Sequence, residues 1–204
     1  MIRNVVFDLG NVLLSFKPAE YLEQKNYPEI LRRTILSDVF ESREWKLIDD
    51  GAITVPEAID AISSKSSLSR GEIAHIFDLR TELMFPLDQN IKLLPELKKE
   101  GFKLYFLSNF PLDIFETTRN GYYFFKYFDG GIISAEVKLS KPHPDIYKVF
   151  LEKYSLIPGE CLFIDDLEAN FISAESIGMY GFHTLGSPDI SAEVYRRLGL
   201  VFRR

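Results

Sequence analysis

The chain has 204 residues, 46% of them hydrophobic and 26% charged, with a net charge of −6. That is enough for one folded core with a modest insertion, and the acidic balance excludes bulk binding to nucleic acid. No run of about 18 apolar residues is present to cross a membrane, and with Cys161 the only cysteine there is no intrachain disulfide, which fits a cytoplasmic protein.

The first 16 residues are rich in apolar side chains and carry Arg3, as a leader would. Asp8 and Asn11 interrupt that run and no small-residue cleavage site follows, so residues 2–7 read as a strand covered on both faces. From residue 18 to 82 the pattern is helical, with no convincing strand. Pro18 is placed to open a helix. Thr54 with Glu57, and Ser69 with Glu72, have capping-box spacing. Ala58, Ile59 and Ile62, then Ile73, Ile76, Phe77 and Leu79, follow at helical intervals. The serine-rich stretch 63–69 is short enough to join two helices.

An alternating pattern comes next. Residues 90–100 predict a helix stopped by Gly101, and 102–107 a strand. Helix 112–120, strand 132–134, helix 144–154, strand 161–164, helix 168–177, strand 180–183 and helix 190–198 complete the chain. Alternation of this kind predicts an α/β fold with a Rossmann-like parallel sheet and helices on both faces, interrupted once by an all-helical insertion.

Ligands gather at the carboxyl ends of strands in such a sheet. Asp8, Gly10 and Asn11 follow the first strand, Ser108 and Asn109 the second, Lys141 and His143 the third, and Asp165 and Asp166 the fourth. Any one of these acids reads equally well as a turn or cap residue. Together they make a hard-oxygen set suited to Mg²⁺, with a fixed positive charge and a hydroxyl beside it. Such a set positions and neutralises a phosphoryl group that a carboxylate attacks.

Four stretches in this order resemble the haloacid dehalogenase-like superfamily: Val5-Val6-Phe7-Asp8-Leu9-Gly10-Asn11-Val12, Tyr105-Phe106-Leu107-Ser108-Asn109, Lys141-Pro142, and Phe163-Ile164-Asp165-Asp166, with Asn170 and Gly178-Met179 downstream. The resemblance implies a hydrolase core of residues 1–15 and 89–204 and a helical C1-type cap of residues 16–88. It implies that Asp8 is the nucleophile of a Mg²⁺-dependent phosphatase, with Lys141 stabilising it. Ser108, Asn109 and Asn11 then bind the phosphorylated small-molecule substrate. Asp8, the Gly10 carbonyl, Asp166 and, in support, Asp165 hold the metal.

One departure matters. The family's phosphatases usually carry a second Asp two residues after the nucleophile, as the acid that protonates the leaving group, and Gly10 stands there. A leaving group needing little protonation, such as the anomeric oxygen of a hexose 1-phosphate, accommodates the loss. The start Asp-Leu-Gly-Asn is similar to the glucose-1-phosphate phosphatase-like branch. Asp49, Asp50 and His75 in the insertion are candidate replacements, read first as solvated helix residues. Gly10 disfavours a phosphomutase. A metal-free 2-haloacid dehalogenase and a catalytically silent phosphate-ligand binding protein remain as alternatives; the adjacent acids Asp165 and Asp166 weigh against the former. Trp45 reads as an aromatic of the cap core or the cap–core interface, the aromatic run 122–128 as packing beneath the sheet or in a subunit contact, and His143 as exposed. The oligomeric state is open.

Overall fold

The computed structural model describes residues 1–201. Five parallel strands form the main sheet: β1 (Asn4–Phe7), β4 (Lys103–Ser108), β5 (Gly130–Ile133), β6 (Cys161–Asp165) and β7 (Tyr180–His183), in the order β5-β4-β1-β6-β7. β1 is central and fully buried because its residues alternate between two cores. Val5 and Phe7 join Leu104, Phe106, Leu162 and Ile164 on one face, while Val6 joins Tyr105, Leu107 and Phe163 on the other. Alternation of strand and helix thus yields the α/β parallel sheet it predicts.

The chain leaves the core through β2 (Leu14–Phe16) and returns through β3 (Met84–Pro86), which pair antiparallel with Phe16 opposite Met84. This ribbon is not among the elements the sequence pattern suggests. Between its strands lie α1 (Pro18–Gln24), α2 (Glu29–Ile35), α3 (Arg43–Asp49), α4 (Val55–Ser63) and α5 (Arg70–Asp78), with a π-helical turn at Leu36–Phe40 and a 3₁₀ turn at Leu79–Thr81. Both capping boxes form, Thr54 with Glu57 and Ser69 with Glu72, and so set where α4 and α5 begin. These helices bury their own apolar cluster, built on Leu22, Val39, Ile62, Ile73 and Phe77.

The remaining helices are α6 (Asp88–Ile91), α7 (Leu93–Lys99), α8 (Leu112–Gly121), α9 (Ser134–Val137), α10 (Pro144–Lys153), α11 (Glu168–Ser176) and α12 (Ser191–Leu198). The single helix expected over 90–100 is two, α6 and α7. The third expected strand ends at Ile133, where Ser134 begins α9. The aromatic run packs beneath the sheet: Phe125 and Phe128 meet Phe106 edge-on, with ring centroids 5.8 and 5.4 Å away.

Parallel register does the positioning. Phe7 lies opposite Phe106 on one side and Ile164 on the other. The next residue of each strand is Asp8, Leu107 or Asp165, so the chain's polar strand ends emerge together. They do so at β1, the point where the strand order reverses.

Candidate active site

Asp8, Ser108, Lys141 and Asp165 are all buried at this edge. The Lys141 Nζ lies 2.6 Å from Asp165 Oδ2 and 2.8 Å from Asp8 Oδ1, and so holds two carboxylates from neighbouring strands. The approach to Asp8 is off the hydrogen-bonding direction and leaves Oδ1 without an aligned donor. Burial pushes the Asp8 carboxyl up to about 7; Lys141 and the Ser108 hydroxyl pull it down, and the charge of Asp165 adds to the rise. Burial alone would lower Lys141, but Asp165 and Asp8 override it and raise the ammonium above its ordinary range.

Asp165 is fully committed. Its Oδ1 accepts from the Leu167 N–H at 2.8 Å and the Asn170 amide at 2.9 Å, and its Oδ2 accepts from Lys141. Asp166 is less so: Oδ2 accepts from Asn11 Nδ2 at 3.1 Å. Burial and the repulsion of Asp165 raise its carboxyl, against the pull of Asn11 and Lys141. Oxygen atoms of Asp8, Asp165 and Asp166 lie within 4.8 Å of one another.

This donor set fits Mg²⁺. Three carboxylates face one ammonium in a site whose burial raises two of them, and oxygen is the ligand a hard cation prefers. Asp8 and Asp166 have oxygen atoms to offer. Asp165 accepts on both oxygens and holds Lys141, and its carboxylate belongs to the same cluster. Gly10 lines the same cavity, and a Cβ built there would lie 3.8 Å from Asp8 Oδ2, so its lack of a side chain leaves open space beside the carboxylate.

The two asparagines expected at substrate both line the cavity and also hold the protein around it. Asn109 accepts the Lys141 N–H and donates to the Lys141 carbonyl, both at 2.8 Å, which fixes the backbone behind the ammonium. Asn11, at φ +52°, accepts from the Phe16 N–H at 2.9 Å while holding Asp166. It thereby ties the site to the ribbon. His143 is exposed, and its ring nitrogen accepts the Asp145 N–H at the start of α10.

A cavity of about 230 Å³ opens onto Asp8, Gly10, Asn11, Ser108, Lys141 and Asp166, with residues of the insertion in its wall. Phe16, Trp45, Met84, Phe110 and Ile114 form much of its wall. Trp45 belongs to both surfaces anticipated for it, since it stacks on Phe77 at 5.5 Å within the insertion's cluster and also faces the cavity. Arg80 and Asp49 also reach the cavity. Arg80 is buried and bidentate to Asp113 on α8, at 3.2 and 2.6 Å, and so clamps the insertion to the core.

A family model described as haloacid dehalogenase-like hydrolase matches residues 2–178. The chain belongs to that family. It is a haloacid dehalogenase-like hydrolase whose four characteristic stretches converge at one sheet edge. It is 28% identical over 197 residues to the sesquiterpene phosphatase astK of Aspergillus oryzae, covering 97% of each chain. A haloacid dehalogenase-like hydrolase of Porphyromonas gingivalis has the same fold, with a TM-score of 0.77, 21% identity and 97% and 98% of the two chains covered. So does a family enzyme of Bacteroides thetaiotaomicron solved with magnesium and inorganic phosphate, at a TM-score of 0.69, 24% identity and 90% and 94% coverage. Among the described residues, no helix is long and apolar enough to cross a membrane.

Proposed function

We propose that this hydrolase is a Mg²⁺-dependent phosphatase of small phosphate monoesters, acting through an aspartyl-phosphate on Asp8. The observation that carries this reading is the buried cluster in which Lys141 bridges Asp8 and Asp165 while Asp166 stands alongside. Asp8 and Asp166, with the Gly10 carbonyl, would hold the ion, and Asp165 would steady Lys141. When bound, the ion supplies charge that lets a carboxylate approach a phosphate dianion. The Asp8 carboxylate attacks phosphorus and displaces the alkoxide. Lys141 and Ser108 hold the charge on the phosphoryl oxygens. Water then cleaves the aspartyl-phosphate and restores Asp8.

The substrate's body is read from the cavity wall. Among the polar side chains there, Arg80, Asn109, Asn170 and Asn11 are already bonded to protein. The rest of the wall is largely aromatic and aliphatic. A ring of sugar hydroxyls finds few partners on such a surface, whereas an apolar chain is well covered. An alkyl or prenyl phosphate therefore fits better than the hexose 1-phosphate suggested by Gly10, and the relative acting on a sesquiterpene supports this.

Phosphate release should be measured over prenyl, alkyl, aryl and hexose phosphates, with Mg²⁺ and with chelator. The expected result is turnover that needs the cation, falls to background in Asp8→Asn, and is fastest for apolar esters. Full activity in chelator, or hydrolysis of 2-chloropropionate instead, would favour the dehalogenase. Phosphate binding without turnover on any ester would favour a silent binding protein.

A further inference from the structure

Gly10 leaves the departing alkoxide without the acid that stands beside the nucleophile in the family's usual pattern, and an apolar alkoxide is a poor leaving group. We infer that Asp49, carried by the insertion, is the residue that protonates it. This rests on the phosphatase reading above.

Asp49 ends α3 and opens onto the same cavity as Asp8, Gly10, Ser108 and Asp166. The loop that holds it is docked on the core at two adjoining points. The Asp49 carbonyl accepts a short hydrogen bond from the buried Ser134 hydroxyl, which in turn accepts the Phe110 N–H at 3.0 Å. Two residues on, Gly51 has φ +66°, and a Cβ placed there would fall 2.7 Å from the Ala135 carbonyl oxygen. Only glycine permits so close an approach in this conformation. Ser134 and Ala135 directly follow β5, so the sheet itself sets how Asp49 overhangs the site.

The environment suits a proton donor. Among the described residues no hydrogen bond engages the Asp49 carboxyl. The residue is half-buried in the cavity wall. Burial, with the repulsion of Asp50 and Asp113, pushes it up to about 8 despite the pull of Arg80. A carboxyl raised in this way holds its proton toward neutral pH, where a leaving-group acid must act. Asp50 faces a different cavity and His75 is exposed.

The steps balance. As the Asp8 oxygen bonds to phosphorus and the P–O bond to the alcohol breaks, the departing oxygen takes the Asp49 proton and leaves as neutral alcohol. The Asp49 carboxylate then takes a proton from water as that water's oxygen attacks phosphorus, which releases phosphate and restores the Asp8 carboxylate and the Asp49 acid.

The test compares an alkyl phosphate, whose alkoxide needs a proton, with p-nitrophenyl phosphate, whose phenolate does not. Because kcat/KM reports events up to formation of the aspartyl-phosphate, Asp49→Asn should lower it by about 10²–10⁴-fold for the alkyl ester and by less than about tenfold for the aryl ester. The aryl reaction should also show a burst of one nitrophenol per site, followed by slow turnover, as water loses its base. His75→Gln, at the exposed candidate on α5, should leave the alkyl-to-aryl ratio unchanged. Equal losses on both esters would overturn the inference in favour of a structural role, and unchanged alkyl kinetics would overturn it in favour of another acid. Wild-type protein with no Asp8-dependent turnover of any ester would remove the phosphatase reading and this inference together.

Discussion

Asp49→Asn should make the protein more stable, and increasingly so as pH rises. The carboxyl titrates at 3.8 ordinarily and at about 8 in the fold. A raised folded value means that the acid's contribution to stability is fully present below about pH 4 and is lost as pH rises through about 8. Asparagine has the same shape and never ionises, so it escapes that loss. With ~1.4 kcal/mol per pK unit, integration between about pH 5 and pH 8 gives the variant roughly 4 kcal/mol of relative gain. Water entering the cavity would screen the charge and reduce this, so the figure is an upper one. The assay is urea unfolding of both chains in chelator at the two pH values, read by Trp45 fluorescence. The linkage of Asp8 and Asp166 is then common to both and cancels to first order. A gain that stays flat with pH, or a variant less stable than wild type at about pH 8, would refute the claim that burial keeps this acid neutral. Gain in stability with loss of alkyl-ester turnover is the trade expected of a residue held in an unfavourable setting for its chemistry.

Three further outcomes are expected. Mg²⁺ should raise the Tm more at about pH 8 than at about pH 6, because the ion competes with the proton on Asp8, whose carboxyl is pushed up to about 7; scanning fluorimetry should show the shift much reduced in Asp166→Asn. Lys141→Met leaves two buried carboxylates without their counter-ion and should cost about 3–5 kcal/mol in urea unfolding, less at acid pH where a proton can replace the ammonium, with turnover down by at least about 10²-fold. Gly51→Ala forces a side chain against the Ala135 carbonyl at positive φ, costing about 1 kcal/mol from the backbone conformation alone. Steady-state kinetics should then show a larger loss of kcat/KM on alkyl than on aryl esters, because the loop that moves is the one bearing Asp49.

The architecture and most of the cluster were legible because both follow from rules acting over a few residues. A β-branched run ending in Asp8 is a buried strand, parallel strands share a carboxyl edge, and polar residues at the ends of three strands and in the loop beyond α9 therefore meet. The caps at Thr54 and Ser69 mark helix starts by local hydrogen bonds alone. The ribbon of Leu14–Phe16 and Met84–Pro86 was not legible. Three residues carry too little alternation to distinguish a strand, and its pairing spans the entire insertion. Asn11 and Asn109 show another limit. Both line the cavity, as position beside Asp8 and Ser108 suggests, but the protein groups each amide also bridges depend on Asp166 and Lys141, far along the chain.

Asp49 is the sharpest case, since its residue type and local pattern favour the bland reading. An acid in the last turn of a short helix, beside Asp50 and before a glycine, looks like a solvated helix end. What distinguishes it comes from elsewhere in the chain: Ser134 grips its carbonyl, Ala135 leaves room for glycine alone at position 51, and Arg80 joins the insertion to Asp113. Each contact joins the insertion to the core across at least 33 residues of sequence. A proton donor supplied this way is present only when the insertion is docked. Loss of the nearby acid at Gly10 would then make cleavage of the ester depend on closure over an apolar body, and a small polar phosphate that fails to hold Trp45 and Phe16 against the core would be cleaved slowly even when bound.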